Sequence, residues 1–254
     1  MATVIAVAGK GGTGKTTFSS LLVRALLARG EKPVLAVDAD PNSNFAGALG
    51  LQVTETVGMV LEEFHGKKLT IPPGMSKAAF LELRLNQAVA EARGMDLISM
   101  GRPEGQGCYC SANSILRDVL ERLTDNYKFV VIDNEAGMEH LSRRTAHRID
   151  VLLMVSDPSM KGVRTVRTLI DLVAELALPV ASKYLVLNRA RELDPRLLAE
   201  VKSLPVPLLG LVPEDPAVTE QDLASKSFLD LGNDSGAAAA AAGLLDRLLT
   251  ETGK

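Results

Sequence analysis

The chain has 254 residues, 46% hydrophobic and 23% charged, with 28 Lys plus Arg against 31 Asp plus Glu for a net charge of −3. That length suits one large α/β domain or two small ones, and the slight acidic excess argues against a nucleic-acid platform, which would carry a basic surplus overall. No stretch is long and apolar enough to span a bilayer, and two cysteines do not make a disulfide framework, so a cytoplasmic chain is expected that binds neither nucleic acid nor membrane.

The first element is a buried strand, Ala2 to Ala8, short and continuously apolar with no basic residue before it, which argues against a signal peptide. It runs into Gly9 to Thr17, GKGGTGKTT, and then into apolar residues at Phe18, Leu21, Leu22, Ala25 and Leu26 with helical spacing. Strand, glycine turn and helix in that order are the context of a phosphate-binding loop. Successive backbone N–H groups in such a turn make a concave anion site backed by the positive end of a helix. Gly9, Lys10, Gly11, Gly12, Thr13, Gly14, Lys15, Thr16 and Thr17 are therefore the expected phosphate contacts, with Lys15 reaching the β- and γ-phosphates of ATP or ADP and the Thr16 hydroxyl ligating Mg²⁺. A plain glycine turn between a strand and a helix is the simpler reading, and the full G-x-x-x-x-G-K-[ST] pattern outweighs it.

The second lysine of the loop, Lys10, gives it the form G-K-G-G-T-G-K-T. This resembles the deviant Walker A of the MinD, ParA, nitrogenase iron protein and ArsA class of dimerising ATPases. The resemblance implies that Lys10 reaches across a two-fold interface to the partner's phosphates, as a catalytic contact made only in a homodimer. The plainer alternative is that Lys10 adds charge to its own site.

Pro33 to Val37 reads as the second buried strand, ending in Asp38-Ala-Asp-Pro-Asn-Ser-Asn44 on the ligand edge of a parallel sheet. A polar turn with Asx-type hydrogen bonds is the bland reading. In the class this segment is switch I, which implies that Asp38 holds Mg²⁺ through water and that Asp40 positions the attacking water. Thr54 to Phe64 reads as a helix capped by Thr54, Lys67 to Gly74 as a loop, Ser76 to Arg93 as mostly helix, and Met95 to Gly101 as a strand.

Cys108 and Cys110 follow, just before a helix, Ala112 to Leu123, with Ser111 as its cap. A helix N-terminus lowers thiol pKa and favours the thiolate that binds metal or reacts. Two soft ligands are half of a tetrahedral set, and a second copy across a two-fold axis would supply the other half. Such a Cys₄ site takes Zn²⁺ or Ni²⁺, and the residues do not decide between them. Two buried thiols acting as small hydrophobes, or a redox pair, remain open, while a Cys108 to Cys110 disulfide closes too tight a ring.

Gly101-Arg-Pro-Glu-Gly-Gln-Gly-Cys-Tyr-Cys-Ser-Ala-Asn113 is similar to the segment carried by CooC-type nickel-insertion ATPases of carbon monoxide dehydrogenase maturation. The resemblance runs from the phosphate loop to the last strand, with 52–93 unmatched in detail. It implies that Cys108 and Cys110 bind Ni²⁺ or Zn²⁺ between subunits and that the client is a carbon monoxide dehydrogenase-type enzyme.

Lys128 to Asp133 is a strand whose last residue holds the Walker B position, so Asp133 should contact Mg²⁺ through water. Asn134-Glu-Ala-Gly137 matches the D-x-x-A-G form of switch II, and the Gly137 N–H would sense the γ-phosphate. His140 is read as a packing or capping residue ahead of a metal or relay role, and His65 and His147 as surface residues. Val151 to Val155 and Lys183 to Asn188 are further strands around a helix from Met160 to Glu175, introduced by Ser156-Asp-Pro-Ser159. In the class the Asn after this strand reads adenine with its amide, which places Asn188, Arg189 and Pro213 at the base. Leu208 to Pro213 is the last strand. A helix containing Ala237 to Ala242 and Leu244 to Leu249 closes the chain, its mixed charge unlike a basic membrane-binding tail.

The expected fold is α/β, one P-loop domain over residues 1–254 with a mostly parallel doubly wound sheet and helices on both faces. The expected function is an ATP-dependent, dimerising metallochaperone delivering nickel to carbon monoxide dehydrogenase. The alternatives are a ParA- or MinD-like positioning ATPase and maturation of a related nickel enzyme such as acetyl-CoA synthase.

Overall fold

The structure is a computed structural model that describes residues 2–65, 71–101, 121–135 and 148–253. Among the described residues eight strands form one sheet: β1 (Thr3–Gly9), β2 (Val34–Asp38), β3 (Ala90–Ala92), β4 (Met95–Ser99), β5 (Phe129–Asp133), β6 (Ile149–Ser156), β7 (Val180–Asn188) and β8 (Leu208–Val212). Their order is β3-β4-β2-β5-β1-β6-β7-β8, parallel throughout except for β3 on β4. Strands covered on both faces read as unbroken apolar runs, and β2, β5 and β6 are buried along their whole length.

Helices cover both faces. On one, α1 (Lys15–Ala28), α2 (Asn44–Ala48) and the terminal helix α8 (Gly236–Thr252) enclose a core of Phe18, Leu22, Phe45, Leu245 and Leu248. On the other, α3 (Val57–His65), α4 (Lys77–Gln87), α5 (Met160–Glu175) and α6 (Pro195–Lys202) enclose Val57, Leu61, Leu81, Val163 and Leu197. Each fully buried Leu or Phe contributes about 1.5–3 kcal/mol. A further helix, α7 (Pro216–Leu223), runs over the surface with no buried residue. Among the described residues no helix is long and apolar enough to cross a membrane.

Two expectations are corrected. Ser76 to Arg93 is mostly helix, as expected, but not to its end: Ser76 caps α4 by accepting from Ala79 N, the helix stops at Gln87, and Ala90–Ala92 pairs antiparallel with β4. Gly94, with φ 85°, makes the tight connection a hairpin requires. The alternating Phe80 to Leu85 segment is helical because Phe80, Leu81 and Leu85 share one buried face. The cap of α3 is also displaced: the helix begins at Val57, and Thr56 Oγ1, not Thr54, accepts from Met59 N at 3.3 Å.

The register sets the site. Asp38 lies opposite Ser99 on one side and Asp133 on the other, Val7 lies opposite Asp133, and Gly9 opposite Val155. The polar ends of β1, β2, β4 and β5 therefore share the C-terminal edge. The chain leaves β1 toward β2 on one side and later extends from β6 to β8 on the other, so the glycine loop sits where the winding reverses.

Candidate nucleotide site

β1 delivers the chain to the loop, and three glycines let it turn back: Gly9, Gly12 and Gly14 have φ of 156°, 79° and 84°. A Cβ on Gly14 would also collide with Asn188 Nδ2. Gly14 caps α1 with no side-chain bond, so the N–H groups of the first turn keep their donors for an anion. The Lys10 carbonyl ties the loop together, accepting from Thr13 Oγ1 at 2.9 Å, Thr13 N at 3.4 Å and Lys15 Nζ at 3.3 Å. The Lys10 side chain is exposed and makes no hydrogen bond or ion pair among the described residues.

Under the loop, Thr16 Oγ1 donates to Asp133 Oδ2 at 2.6 Å and Ser19 Oγ to Asp133 Oδ1 at 3.0 Å. Asp38 braces the following turn, with Oδ1 accepting from Asp40 N at 3.2 Å and Oδ2 from Phe45 N at 2.9 Å. Burial pushes the Asp38 carboxyl up to about 7, with the nearby charges of Asp133 and Asp40 adding to it and the two backbone N–H groups opposing. Burial likewise raises Asp133 to about 6 against the Thr16 and Ser19 hydroxyls and Lys15. Lys15 is lowered by burial while Asp133, Asp40 and Glu135 hold its charge.

Two buried carboxylates, a third nearby and one hydroxyl are hard oxygen donors whose mutual repulsion a cation relieves, so the residues fit Mg²⁺. No group of three or more His, Cys, Asp or Glu among the described residues could hold a metal by itself.

Asn188 uses its amide inward, donating Nδ2 to the Thr13 carbonyl at 2.9 Å and accepting from Arg189 N at 3.0 Å. One N–H and one lone pair are left for a base. Arg189 adopts φ 58°, and Pro213 follows β8 beside Gly236. Next to them Arg191, Glu214, Pro216, Thr219 and Glu220 line a cavity of about 540 Å³. Gly137, Cys108, Cys110, the helix expected at 112–123 up to residue 120, His140 and His147 lie outside the described residues.

Ser19 and the Ser43 to Ser99 hydroxyl pair, 2.8 Å apart, join the site without a signal in the sequence, and Asn134, expected only as the start of switch II, has a buried role of its own. Ser19 is a polar residue on the apolar face of α1 three positions after Thr16. Asn134 is buried, donates to the Val7 carbonyl at 2.8 Å, and has an Oδ1 without a hydrogen bond among the described residues.

Fold and loop define a P-loop nucleotide-binding protein. Residues 4–228 match the family described as the CobQ/CobB/MinD/ParA nucleotide binding domain. An uncharacterized ATP-binding protein of Methanocaldococcus jannaschii is 42% identical over 225 residues, covering 87% of this chain and 88% of that one. The carbon monoxide dehydrogenase accessory protein CooC of Rhodospirillum rubrum is less similar, 31% identical over 256 residues and covering 89% of each chain. MinD of Pyrococcus horikoshii, solved with Mg-ADP, superposes with a TM-score of 0.70 at 22% identity over 99% of both chains. The chain belongs to the CobQ/CobB/MinD/ParA family and is an ATP-binding P-loop ATPase of the MinD/ParA type.

Proposed function

We propose that this chain, acting as one P-loop domain over residues 1–254, is a dimerising ATP hydrolase that carries nickel to a carbon monoxide dehydrogenase-type enzyme. The observation that carries the reading is the pairing of Cys108-x-Cys110 with a phosphate loop that bears the exposed Lys10. Both features call for a second copy, one to complete four thiolates and one to complete the phosphate site. The CooC relative, matched over most of both chains, supports it. The more similar archaeal relative has no described client, so carbon monoxide dehydrogenase rests on the cysteine segment.

In this reading the loop N–H groups and Lys15 bind the β- and γ-phosphates, Gly137 N–H senses the γ-phosphate, and Lys10 reaches the partner's nucleotide. Thr16 would hold Mg²⁺ through its hydroxyl, with Asp38 and Asp133 holding it through water, and the ion would supply neutralising charge to the phosphate oxygens. Asp40 accepts a hydrogen bond from the attacking water. Asn188, Arg189 and Pro213 flank the base. Ni²⁺, or Zn²⁺ in its place, is the cargo of the paired Cys108 and Cys110, and nucleotide state and metal affinity are coupled reciprocally through the shared interface.

The test is size-exclusion chromatography with light scattering and metal analysis, comparing the native chain with Cys108→Ser/Cys110→Ser, with and without Ni²⁺ and nucleotide. About one metal per dimer, absent from the variant, is expected. Stoichiometric metal on a monomer, or a dimer indifferent to the cysteines, overturns the shared site. Nucleotide-dependent pelleting with DNA or liposomes at moderate salt would support a positioning ATPase instead.

A further inference from the structure

We infer that Asn42 is a positioning residue for the Asp40 carboxylate, holding it in one orientation for the attacking water. The inference rests on the hydrolytic role proposed above for Asp40.

Asp40-Pro41-Asn42-Ser43 is a tight turn closed by Ser43 N donating to the Asp40 carbonyl at 3.0 Å, with Pro41 at the position where its fixed φ suits the turn. The turn is anchored beyond itself. Ser43, at φ 52°, shares a hydrogen bond with the buried hydroxyl of Ser99, and Phe45 N is held by Asp38. On this fixed base Asn42 donates twice to a single oxygen: its backbone N–H lies 2.8 Å and its Nδ2 2.9 Å from Asp40 Oδ1.

The backbone bond alone is an ordinary Asx turn and explains nothing about the residue at 42. The side-chain bond is different. Asn42 is exposed, and among the described residues its amide has no other partner, so it adds nothing to the core. Its one structural consequence is to fill Oδ1 and fix the plane of the carboxylate. Oδ2 accepts no hydrogen bond among the described residues and stays available. The turn is held beside the phosphate loop: Asp40 N donates to Asp38 Oδ1 at 3.2 Å, Asp38 lies opposite Asp133, and Asp133 accepts from Thr16, so the Asp40 carboxylate is close enough for its charge to act on Lys15. A group that orients a reacting water must hold its geometry within about 0.5 Å and 10–20°, and a doubly anchored oxygen restricts both χ angles of Asp40.

The test measures steady-state ATP hydrolysis by the full chain for Asn42→Ala, Asn42→Asp, Asp40→Asn and Asn42→Ala/Asp40→Asn, with thermal unfolding of each. Asn42→Ala should lower kcat by roughly tenfold with KM for ATP within about twofold and an unchanged Tm. Asn42→Asp, the same shape without the donor, should be at least as slow. Asn42→Ala should cost nothing further in the Asp40→Asn background, where there is no carboxylate to orient. Unchanged kcat in Asn42→Ala, a loss carried by KM, or an equal loss in both backgrounds overturns the inference while leaving Asp40 in its role. Native kcat in Asp40→Asn overturns the role of Asp40 and this inference with it.

Discussion

Asn188 Nδ2, from the end of β7, donates to the carbonyl of Thr13 in the phosphate loop at 2.9 Å, over a Gly14 that has no room for a Cβ. The strand proposed to border the base thus also sets the height of the phosphate cradle. Asn188→Ala should weaken ATP and ADP alike by about tenfold, because one buried hydrogen bond of about 1–1.5 kcal/mol is lost from the cradle. Gly14→Ala should abolish binding, since it adds a collision to a φ of 84° that alanine resists. Isothermal titration with ADP checks both. If Asn188→Ala weakens binding only for adenine nucleotides and spares other bases, the residue is a base reader and not a brace.

The loop was legible because its evidence is local: strand, glycines, lysine and helix stand within thirty residues, and the Asp38 and Asp133 strand ends follow from apolar runs that stop at a carboxylate. What escaped depends on tertiary placement. β3 is only three residues, Ala-Glu-Ala, and is a strand because β4 lies beside it. The helices α6 and α7 are too short for periodicity to announce; the Asp-Pro steps at 194–195 and 215–216, which cap and open them, are the surviving signal. Ser19 gives no signal of its own in the sequence, and its role appears only where β5 brings Asp133 over it.

Asp38 and Asp133, raised to about 7 and about 6, predict a particular pH dependence. An unfolded aspartate titrates near 3.9. Between about pH 4 and 7 the native state therefore binds more protons than the unfolded chain, and these two groups make stability fall as pH rises. Mg-nucleotide binding should run the other way, strengthening from pH 6 to 7 as the carboxylates ionise. Urea unfolding without nucleotide at pH 5 to 8 should show a flatter slope for Asp133→Asn than for the native chain. Equal slopes would mean that the burial does not charge this penalty.

Asp215 ties two helices at one carboxylate. It caps α7 by accepting from Ala217 N at 2.9 Å, and it holds the start of α8 through Ser235 Oγ at 2.6 Å and Ala237 N at 3.0 Å. Burial alone would raise this carboxyl, but those donors outweigh it and hold it below the usual range. The sign is opposite to that of the switch aspartates: its contribution is present above about pH 4 and disappears as pH falls through its lowered pKa. Asp215→Ala should cost about 2 kcal/mol at pH 7, the size of a lost cap plus an orphaned buried hydroxyl. Asp215→Asn keeps one acceptor and should lose less. Chemical denaturation settles it, and equal losses in the two variants would make charge, not geometry, the source.

Ser19 supplies the clearest separation between folding and function in this site. Its hydroxyl is fully buried and is one of two side-chain donors on Asp133 among the described residues. In Ser19→Ala the ionised carboxylate loses a donor that favours its charged form, so the Asp133 pKa rises further and Mg-nucleotide binding should need a higher pH. A bond to a charged acceptor is worth about 1.5–3 kcal/mol and a neutral one about 1 kcal/mol. The stability lost in Ser19→Ala should therefore be larger at pH 8, where Asp133 is ionised, than at pH 5, where it is protonated. Urea unfolding at the two pH values, beside ADP titrations in Mg²⁺ across the same range, measures both consequences. A loss independent of pH would show that Ser19 serves helix packing and does not govern the charge of Asp133.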